Sequence, residues 1–310
     1  PLAAASGTPL TASGINASAG TTIVVGTASD TGVVNAQGPG SLADTTGALP
    51  VAGGTLTGAL AGAWSANLTS TTVDSGATLD YGSGNGSIRN LQGAGKVQAG
   101  TTLYVGEGSF AGEIAGAASL EKYGSGTLAL SGNNSYGGGT ALKGGRLDLG
   151  SNGALGAGEL AMDDGTTLGF TADGLNIANN IRMTGTNDPV IDTGSFSETL
   201  SGAISGGGVV TKQGIGTLTL TGANNYTGAT NVAAGTLRAG AVGTFSAASA
   251  HNVAAGATLD LAGFSQTVAG VTNAGTVSLV GSAPGTTLTV TGPWVGNNGT
   301  LRMGTALGGS

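Results

Sequence analysis

The chain has 310 residues, 63 of them glycine, with no cysteine and a formal net charge of −7. Only 8% of its residues are charged, which excludes a charge-extended disordered chain, and its glycines lack the every-third-residue spacing of collagen. The nine Lys and Arg residues are scattered, which argues against nucleic-acid binding. The sequence contains no apolar run of about 18 residues, so no membrane-spanning helix is predicted.

Residues 1–50 are rich in alanine, serine, threonine and glycine, with weak strand patterns at 22–25 and 33–34. We interpret this region as irregular N-terminal coils that are partly flexible. A more regular pattern then runs along the chain, in which a glycine and one or two small polar residues precede a short alternating apolar segment. The glycines that open these segments are Gly20, Gly54, Gly76, Gly100, Gly126, Gly145, Gly165, Gly216, Gly235, Gly256, Gly275 and Gly299.

Most of these segments recur about every 19 to 26 residues, which is the period of solenoid repeats. The one missing segment, between Gly165 and Gly216, is expected near residues 189–191. Alternation turns one side chain inward and the next outward, and such strands bury their apolar side only when stacked on one another, about 4.8 Å apart. Because we find no convincing amphipathic helical stretch, we predict an all-β parallel β-helix, a solenoid of roughly 13 or 14 rungs.

A longer repeat is superimposed on this short one. Residues 120–147 return as residues 210–237, and the two stretches align without a gap. Four of the short segments therefore make one unit of about ninety residues. The matched pairs include Lys122 and Lys212, Asn134 and Asn224, and Tyr136 and Tyr226.

The polar and aromatic residues of the long repeat have structural interpretations. Asparagine tolerates positive φ and bonds its own backbone, so the pairs Asn133-Asn134 and Asn224-Asn225 are interpreted as stacked turn residues. Tyr136 and Tyr226 are expected to pack over a corner of the coil rather than to stack on a sugar. Trp294 is expected to cover the last turns.

His251 is the one histidine, so a catalytic triad would have to include it, with a serine and an acid nearby. We interpret it instead as an exposed turn residue beside Asn252. The sequence has no Gly-x-Ser-x-Gly elbow, no Gly-x-Gly-x-x-Gly and no Walker motif, so neither a hydrolase nor a nucleotide cofactor is indicated.

Carboxylates are the remaining candidates for chemistry. Calcium takes six to eight oxygen ligands, and glycosidases use paired carboxylates, but no EF-hand or nonapeptide calcium spacing occurs. Acidic turn residues and outward repeat positions explain the pattern, so we predict no enzyme and no catalytic, cofactor-binding or metal-binding residue. The residues considered are Asp163, Asp164 and Asp173, then Asp188 and Asp192, and then Asp80, Asp148 and Asp260.

The pattern Lys-x-Gly-x-Gly-Thr-Leu-x-Leu-x-Gly, then Asn-x-Tyr-x-Gly and Gly-x-Leu, occurs at 122–147 and at 212–237. It resembles the passenger-associated repeat of bacterial autotransporters. Residues 290–303, around Trp294, resemble the start of the pertactin-like segment that closes such passengers. The resulting division is N-terminal coils at 1–50, a β-helix with a super-repeat at 51–285, and the start of an incomplete C-terminal autochaperone segment at 286–310.

The resemblance implies a right-handed β-helix on the surface of a Gram-negative bacterium or released from it. It also implies a C-terminal outer-membrane β-barrel in the full-length protein. The function it implies is that of a non-enzymatic adhesin, or the stalk presenting one, which binds a host-cell surface, an extracellular-matrix ligand or a further copy of itself. Two alternatives stay open: the scaffold of a secreted enzyme whose catalytic domain precedes Pro1, and a carbohydrate-active β-helix enzyme.

Overall fold

The computed structural model describes residues 10–13, 33–37, 48–57, 69–185, 189–281 and 285–303. The predicted strand at 22–25 and most of the predicted N-terminal coils lie outside these residues, as does Asp188. The chain divides into two compact units, residues 1–158 and residues 159–310. The described residues of both units form strands and turns, and no helix among them is long and apolar enough to cross a membrane.

The described residues of unit one form mostly short strands, of which Gly86–Gly93 and Thr102–Phe110 are the longest. Its strands are β1 (Leu10–Ser13), β2 (Val33–Gln37), β3 (Ala48–Val51), β4 (Thr55–Thr57), β5 (Ser70–Val73), β6 (Thr78–Asp80), β7 (Gly86–Gly93), β8 (Lys96–Gln98), β9 (Thr102–Phe110), β10 (Glu113–Ala115), β11 (Ser119–Lys122), β12 (Thr127–Leu130), β13 (Thr140–Leu142) and β14 (Arg146–Leu149).

Apart from the pairing of β1 with β2, each of these strands pairs with a strand further along or further back in the chain and not with its neighbour in sequence. One parallel sheet has the order β1-β2-β4-β6-β8-β10. A second runs β3-β5-β7-β9-β11-β13, and the far end of β9 pairs with β12, which pairs with β14. This skipping order is that of a coil whose successive turns form the sheets.

Unit two repeats the same construction. Its strands are β15 (Leu160–Met162), β16 (Thr167–Phe170), β17 (Asn176–Ile177), β18 (Ile181–Met183), β19 (Val190–Asp192), β20 (Glu198–Leu200), β21 (Ile204–Gly206), β22 (Val210–Gln213), β23 (Thr217–Leu220), β24 (Thr230–Val232), β25 (Thr236–Ala239), β26 (Ala250–Val253), β27 (Thr258–Asp260), β28 (Gln266–Val268), β29 (Gly270–Asn273), β30 (Thr276–Ser278), β31 (Leu288–Val290), β32 (Trp294–Gly296) and β33 (Thr300–Arg302).

Its parallel sheets again join strands from successive turns. One has the order β17-β20-β23-β25-β27-β30-β33. Another runs β16-β19-β22-β24-β26-β29-β32, beside the shorter sheets β15-β18-β21 and β28-β31. Strand β19 fills the gap in the glycine pattern where a strand was expected. Across the described residues the solenoid has about 12 turns, so the predicted all-β parallel architecture is confirmed.

The core follows from the alternating pattern. In Thr78-Leu79-Asp80 the leucine is buried and its neighbours are partly exposed, and the same pattern recurs in most strands. Register stacks each inward leucine on the next, as Leu128 on Leu147. Burying one such side chain contributes about 1.5 to 3 kcal/mol, and the repetition of that contribution from turn to turn holds the coil together.

Two repeat glycines are required by close contact between turns. Gly145 and Gly235 have φ of 66° and 62°, a region that favours glycine. A Cβ atom on either would lie 2.4 Å from a carbonyl oxygen of the preceding turn, that of Gly126 or Gly216. The glycine in the Gly-x-Leu part of the pattern is therefore required both by its backbone conformation and by the lack of space for a side chain.

Candidate functional site

Each copy of the long repeat buries a lysine among backbone carbonyl groups. Lys122 is fully buried, and its Nζ donates hydrogen bonds of 2.8, 3.1 and 3.0 Å to the carbonyl oxygens of Tyr123, Gly124 and Gly144. Lys212 occupies the equivalent position and donates three such bonds of 2.8 to 3.2 Å. An ammonium group has three donors, so each lysine is fully satisfied by two carbonyl groups directly after it and one in the next turn of the coil.

The charge state of these lysines fits that structural role. Burial lowers the pKa of Lys122 and of Lys212 to about 8, while the carboxylates of Glu107 and Asp192 act in the opposite direction. Both are therefore mainly protonated at neutral pH and do not supply a nucleophile. The sequence analysis gave them no role, although the alternation that turns Leu120 inward on β11 turns Lys122 inward as well.

The repeat asparagines connect three successive turns. Asn134 Oδ1 accepts the N–H of Ile114 at 2.7 Å, and Nδ2 donates to the carbonyl oxygen of Ala154 at 2.5 Å. Asn224 makes the same two bonds, each 2.6 Å long. Both lie between strands, as expected of turn residues, but neither has the positive φ that was the reason for that expectation. The side-chain amide is needed because it reaches the turns before and after its own.

The repeat tyrosines are completely buried, as the expected packing requires. Tyr136 and Tyr226 place their hydroxyl groups 2.6 and 2.7 Å from those of Thr140 and Thr230. Burial raises the pKa of Tyr226 to about 12, against hydrogen bonds with Thr230 and Ser249 that lower it. With no exposed ring face, neither tyrosine can stack on a sugar.

His251 lies in the core, so its predicted exposure in a turn was wrong. It sits on β26 with the same inward direction as Val253. Its Nδ1 lies 3.2 Å from the carbonyl oxygen of Ser249, and its ring centroid lies 5.4 Å from that of Phe245. Among the described residues, Nε2 has no hydrogen-bond partner. Burial lowers its pKa to about 4, so it is neutral at physiological pH. It forms no triad with a described carboxylate.

The three aspartates that follow leucine are engaged locally. Asp80 and Asp260 each accept the backbone N–H two residues later, at 2.8 and 3.0 Å. Asp148 accepts a hydrogen bond of 2.6 Å from Arg146 Nε. These roles are those of turn residues and surface ion pairs, not of a carboxylate pair facing a substrate.

The other acidic candidates also bond to their own surroundings. Asp163 accepts a hydrogen bond from the Thr184 hydroxyl, Asp173 accepts the N–H of Ser197 at 2.7 Å, and Asp192 accepts that of Gly194 at 2.9 Å. Among the described residues, no three His, Cys, Asp or Glu side chains are grouped to hold a metal ion.

Glu198 is a buried acid that the sequence analysis missed. Its Oε2 accepts the N–H of Leu175 at 2.7 Å, while Oε1 has no hydrogen-bond partner in the part of the chain that the structure describes. Burial raises its pKa to about 7, and the charge of Asp173 adds to this, whereas the bond from Leu175 opposes it. Because the folded pKa exceeds the ordinary value, Glu198 favours folding at low pH, and that contribution is lost as the pH rises to 7. Its inward position beside Leu200 on β20 was the available signal.

Two surface clefts of unit one carry polar side chains suited to binding. One of about 360 Å³ contains an ion pair in which Lys96 Nζ lies 3.4 Å from Glu113 Oε2. The other, of about 190 Å³, is lined by Arg89, Glu107 and Tyr123 together with a glycine-rich turn. These two clefts therefore offer polar groups to a ligand, whereas Asp80, Asp148 and Asp260 bond to neighbouring residues of the fold.

The long repeat matches a known family model. Residues 120–149 and 210–239 each match the passenger-associated-transport-repeat. The resemblance drawn from the Lys, Asn and Tyr pattern is thus confirmed, and together with the relative described next it supports an autotransporter passenger domain.

Two relatives share about a third of the chain. The Adhesin BmaC autotransporter of Brucella suis biovar 1 (strain 1330) is 42% identical over 112 residues, which are 36% of this chain and 3% of that protein. The uncharacterized protein YuaQ of Escherichia coli (strain K12) is 37% identical over 106 residues, 34% of this chain and 8% of that protein. The aligned part is therefore a small fraction of either relative. No solved structure matches the chain.

Proposed function

We propose that this chain, which carries two passenger-associated transport repeats, is a non-enzymatic part of an autotransporter passenger and acts as an adhesin or as the stalk that presents one. The observation that carries the proposal is the pair of repeats at 120–149 and 210–239, supported by 42% identity to part of a protein named as an adhesin. Its targets are a host-cell surface, a matrix protein or a second copy of the chain.

The physical means is a polar surface repeated from turn to turn. In unit two, Thr217, Thr236, Thr258, Thr276 and Thr300 stand in register on five successive strands of one sheet. On another sheet, Asn252 Nδ2 donates to Asn231 Oδ1 at 2.9 Å across neighbouring turns. Columns of hydroxyl and amide groups at a constant spacing suit many weak contacts made together, which raise avidity without a deep pocket.

The location and the partner within the longer protein belong to the same proposal. An autotransporter passenger stands on the outer surface of a Gram-negative bacterium or is released from it, with an outer-membrane β-barrel at its C-terminal side. The β-helix of residues 51–285 is the displayed part. Residues 286–310 begin the closing segment.

Binding by the purified chain tests the adhesive function. We expect saturable attachment to at least one of three surfaces: cultured epithelial cells, a plate coated with matrix proteins, or immobilised copies of the same chain. The matched control is the same chain unfolded by heat, which removes the stacked columns and keeps the composition. Binding by the folded chain to none of the three would contradict the adhesin and favour the stalk. Hydrolysis of a glycan panel would contradict the non-enzymatic assignment.

A further inference from the structure

We propose that the cleft beside Tyr123 is a binding site for a neutral pyranose sugar. This inference rests on the proposed adhesive function and gives it a ligand class. Three of the five tyrosines, Tyr81, Tyr136 and Tyr226, are buried in the core. The other two, Tyr104 on β9 and Tyr123 directly after β11, are half-buried in unit one.

The strand register builds the cleft. Parallel pairing of β7 with β9 and of β9 with β11 places Arg89, Gly106 and Tyr123 at matching positions in three successive turns. The backbone N–H of Tyr123 donates to the carbonyl oxygen of Val105 at 3.0 Å, and this bond holds Tyr123 beside β9. The resulting space measures about 190 Å³, less than a drug-sized pocket and suited to a single ring.

Gly106 keeps the space between the arginine and the tyrosine open. A Cβ atom there would lie 2.6 Å from the carbonyl oxygen of Arg89 and 3.5 Å from Cζ of Tyr123. Its φ is not positive, so the backbone conformation does not require glycine. The ring of Tyr123 therefore packs next to the bare backbone of Gly106, and both residues line the cleft in which a sugar ring can lie.

The polar groups around this ring are available to a ligand. Arg89 is exposed, and neither its guanidinium group nor the carboxylate of Glu107 hydrogen-bonds to another described residue. The negative charge of Glu107 acts on the ammonium group of Lys122, whose pKa it raises. The cleft thus offers N–H donors on one side and carboxylate acceptors on the other. Only 8% of the residues in the chain are charged, so two charged side chains beside one aromatic ring are unusual for this protein.

A pyranose matches this set of groups. One face of the sugar ring is a patch of C–H groups that packs against an aromatic ring, and its hydroxyls both donate and accept hydrogen bonds. Because Arg89 and Glu107 carry opposite charges, the cleft favours a neutral ligand. An anionic sugar would meet the Glu107 carboxylate, and the net charge of −7 opposes nucleic acid.

Saturation-transfer NMR with simple sugars tests the site. The probes are the methyl glycosides of glucose, galactose, mannose and N-acetylglucosamine, each offered to the folded chain. We expect at least one to bind in the millimolar range, as a single small ring should. We expect Tyr123→Ala and Arg89→Ala to weaken that binding about tenfold or more, and Tyr123→Phe to retain most of it.

The matched control is Tyr104→Ala, a half-buried tyrosine on the same sheet that does not line the cleft. Its binding should equal that of the wild type, and circular dichroism should show every variant folded. The site is refuted if none of the four glycosides binds, if Tyr123→Ala binds as the wild type does, or if Tyr104→Ala loses binding equally. If the Tyr123→Ala variant still attaches to cells, the sugar site is refuted but the proposed adhesive function is not. If the wild type does not attach to any surface, the adhesive function itself is refuted.

Discussion

At the scale of single residues, charged and polar side chains lie in the interior of the coil, where backbone groups of the same or a neighbouring turn form hydrogen bonds with them. Lys122 and Lys212 each use three donors on three carbonyl oxygens. A buried ion without such partners would be strongly destabilising. The recurrence of lysine ninety residues apart therefore reflects a structural requirement of the turn rather than chemistry at the surface.

Replacing either buried lysine should destabilise its own unit. Lys122→Met or Lys212→Met leaves three carbonyl oxygens without a donor, and we expect the free energy of unfolding to fall by about 2 kcal/mol. Urea unfolding followed by circular dichroism measures it. The control is Lys96→Met, which removes an exposed ion pair with Glu113 and should change stability by less than about 1 kcal/mol. Equal effects at buried and exposed lysines would contradict the structural role.

The buried histidine predicts an acid sensitivity. The pKa of His251 is about 4 in the folded chain against 6.5 for a free histidine, so the unfolded chain binds more protons between these values. Stability from His251 should therefore fall as the pH drops from 6.5 towards 4, by about 3 kcal/mol in total.

Comparison with His251→Leu isolates that contribution, because the opposite contribution of Glu198 is present in both proteins and cancels. We expect the difference in unfolding free energy between wild type and variant to shift against the wild type as the pH falls from 7 to 4. The measurement is urea unfolding at several pH values. A difference that stays constant over this range would show that His251 is not buried as a neutral group.

At the scale of elements, alternation together with the spacing of glycines predicted one strand of most turns, including β19 where the glycine pattern lapses. The further strands of the same turns, such as β13 and β24, were not predicted. Side-chain direction within a strand was also predictable in principle, yet the inward positions of Lys122, Glu198 and His251 were not inferred. Their polarity suggested exposure, whereas the strand period places them with leucine and valine. The bridging role of Asn134 could not be predicted, since it depends on the turns twenty residues before and after.

Turn glycines give a test of close stacking between elements. Gly235→Ala should destabilise unit two by more than Gly243→Ala, although both residues have positive φ, 62° and 68°. A Cβ on Gly235 would lie 2.4 Å from the Gly216 oxygen, whereas one on Gly243 meets nothing within 4 Å. We expect the free energy of unfolding to fall by about 1 kcal/mol for Gly243→Ala, where only the backbone conformation is unfavourable, and by at least twice that for Gly235→Ala. Thermal unfolding compares the two, and equal losses would contradict the close packing of successive turns.

At the scale of the whole chain, the proposed surface function depends on pairing between turns, because only that pairing aligns the threonine columns and assembles the cleft at Tyr123. The repeat pattern was enough to predict this architecture and the family it resembles. It did not predict the cleft, since Arg89, Gly106 and Tyr123 have no pattern in sequence and meet only through the register of β7, β9 and β11.

Cysteine cross-linking measures that register most directly, because the chain has no cysteine of its own. Thr236 and Thr258 are paired on neighbouring strands of unit two, while Thr276 lies one strand further on. Adjacent strands lie about 4.8 Å apart, within the reach of a disulfide, and strands two turns apart do not. We predict that Thr236→Cys with Thr258→Cys forms a disulfide on mild oxidation and that Thr236→Cys with Thr276→Cys does not. Cross-linking of the second pair as readily as the first, or failure of the first, would contradict the stacked parallel coil.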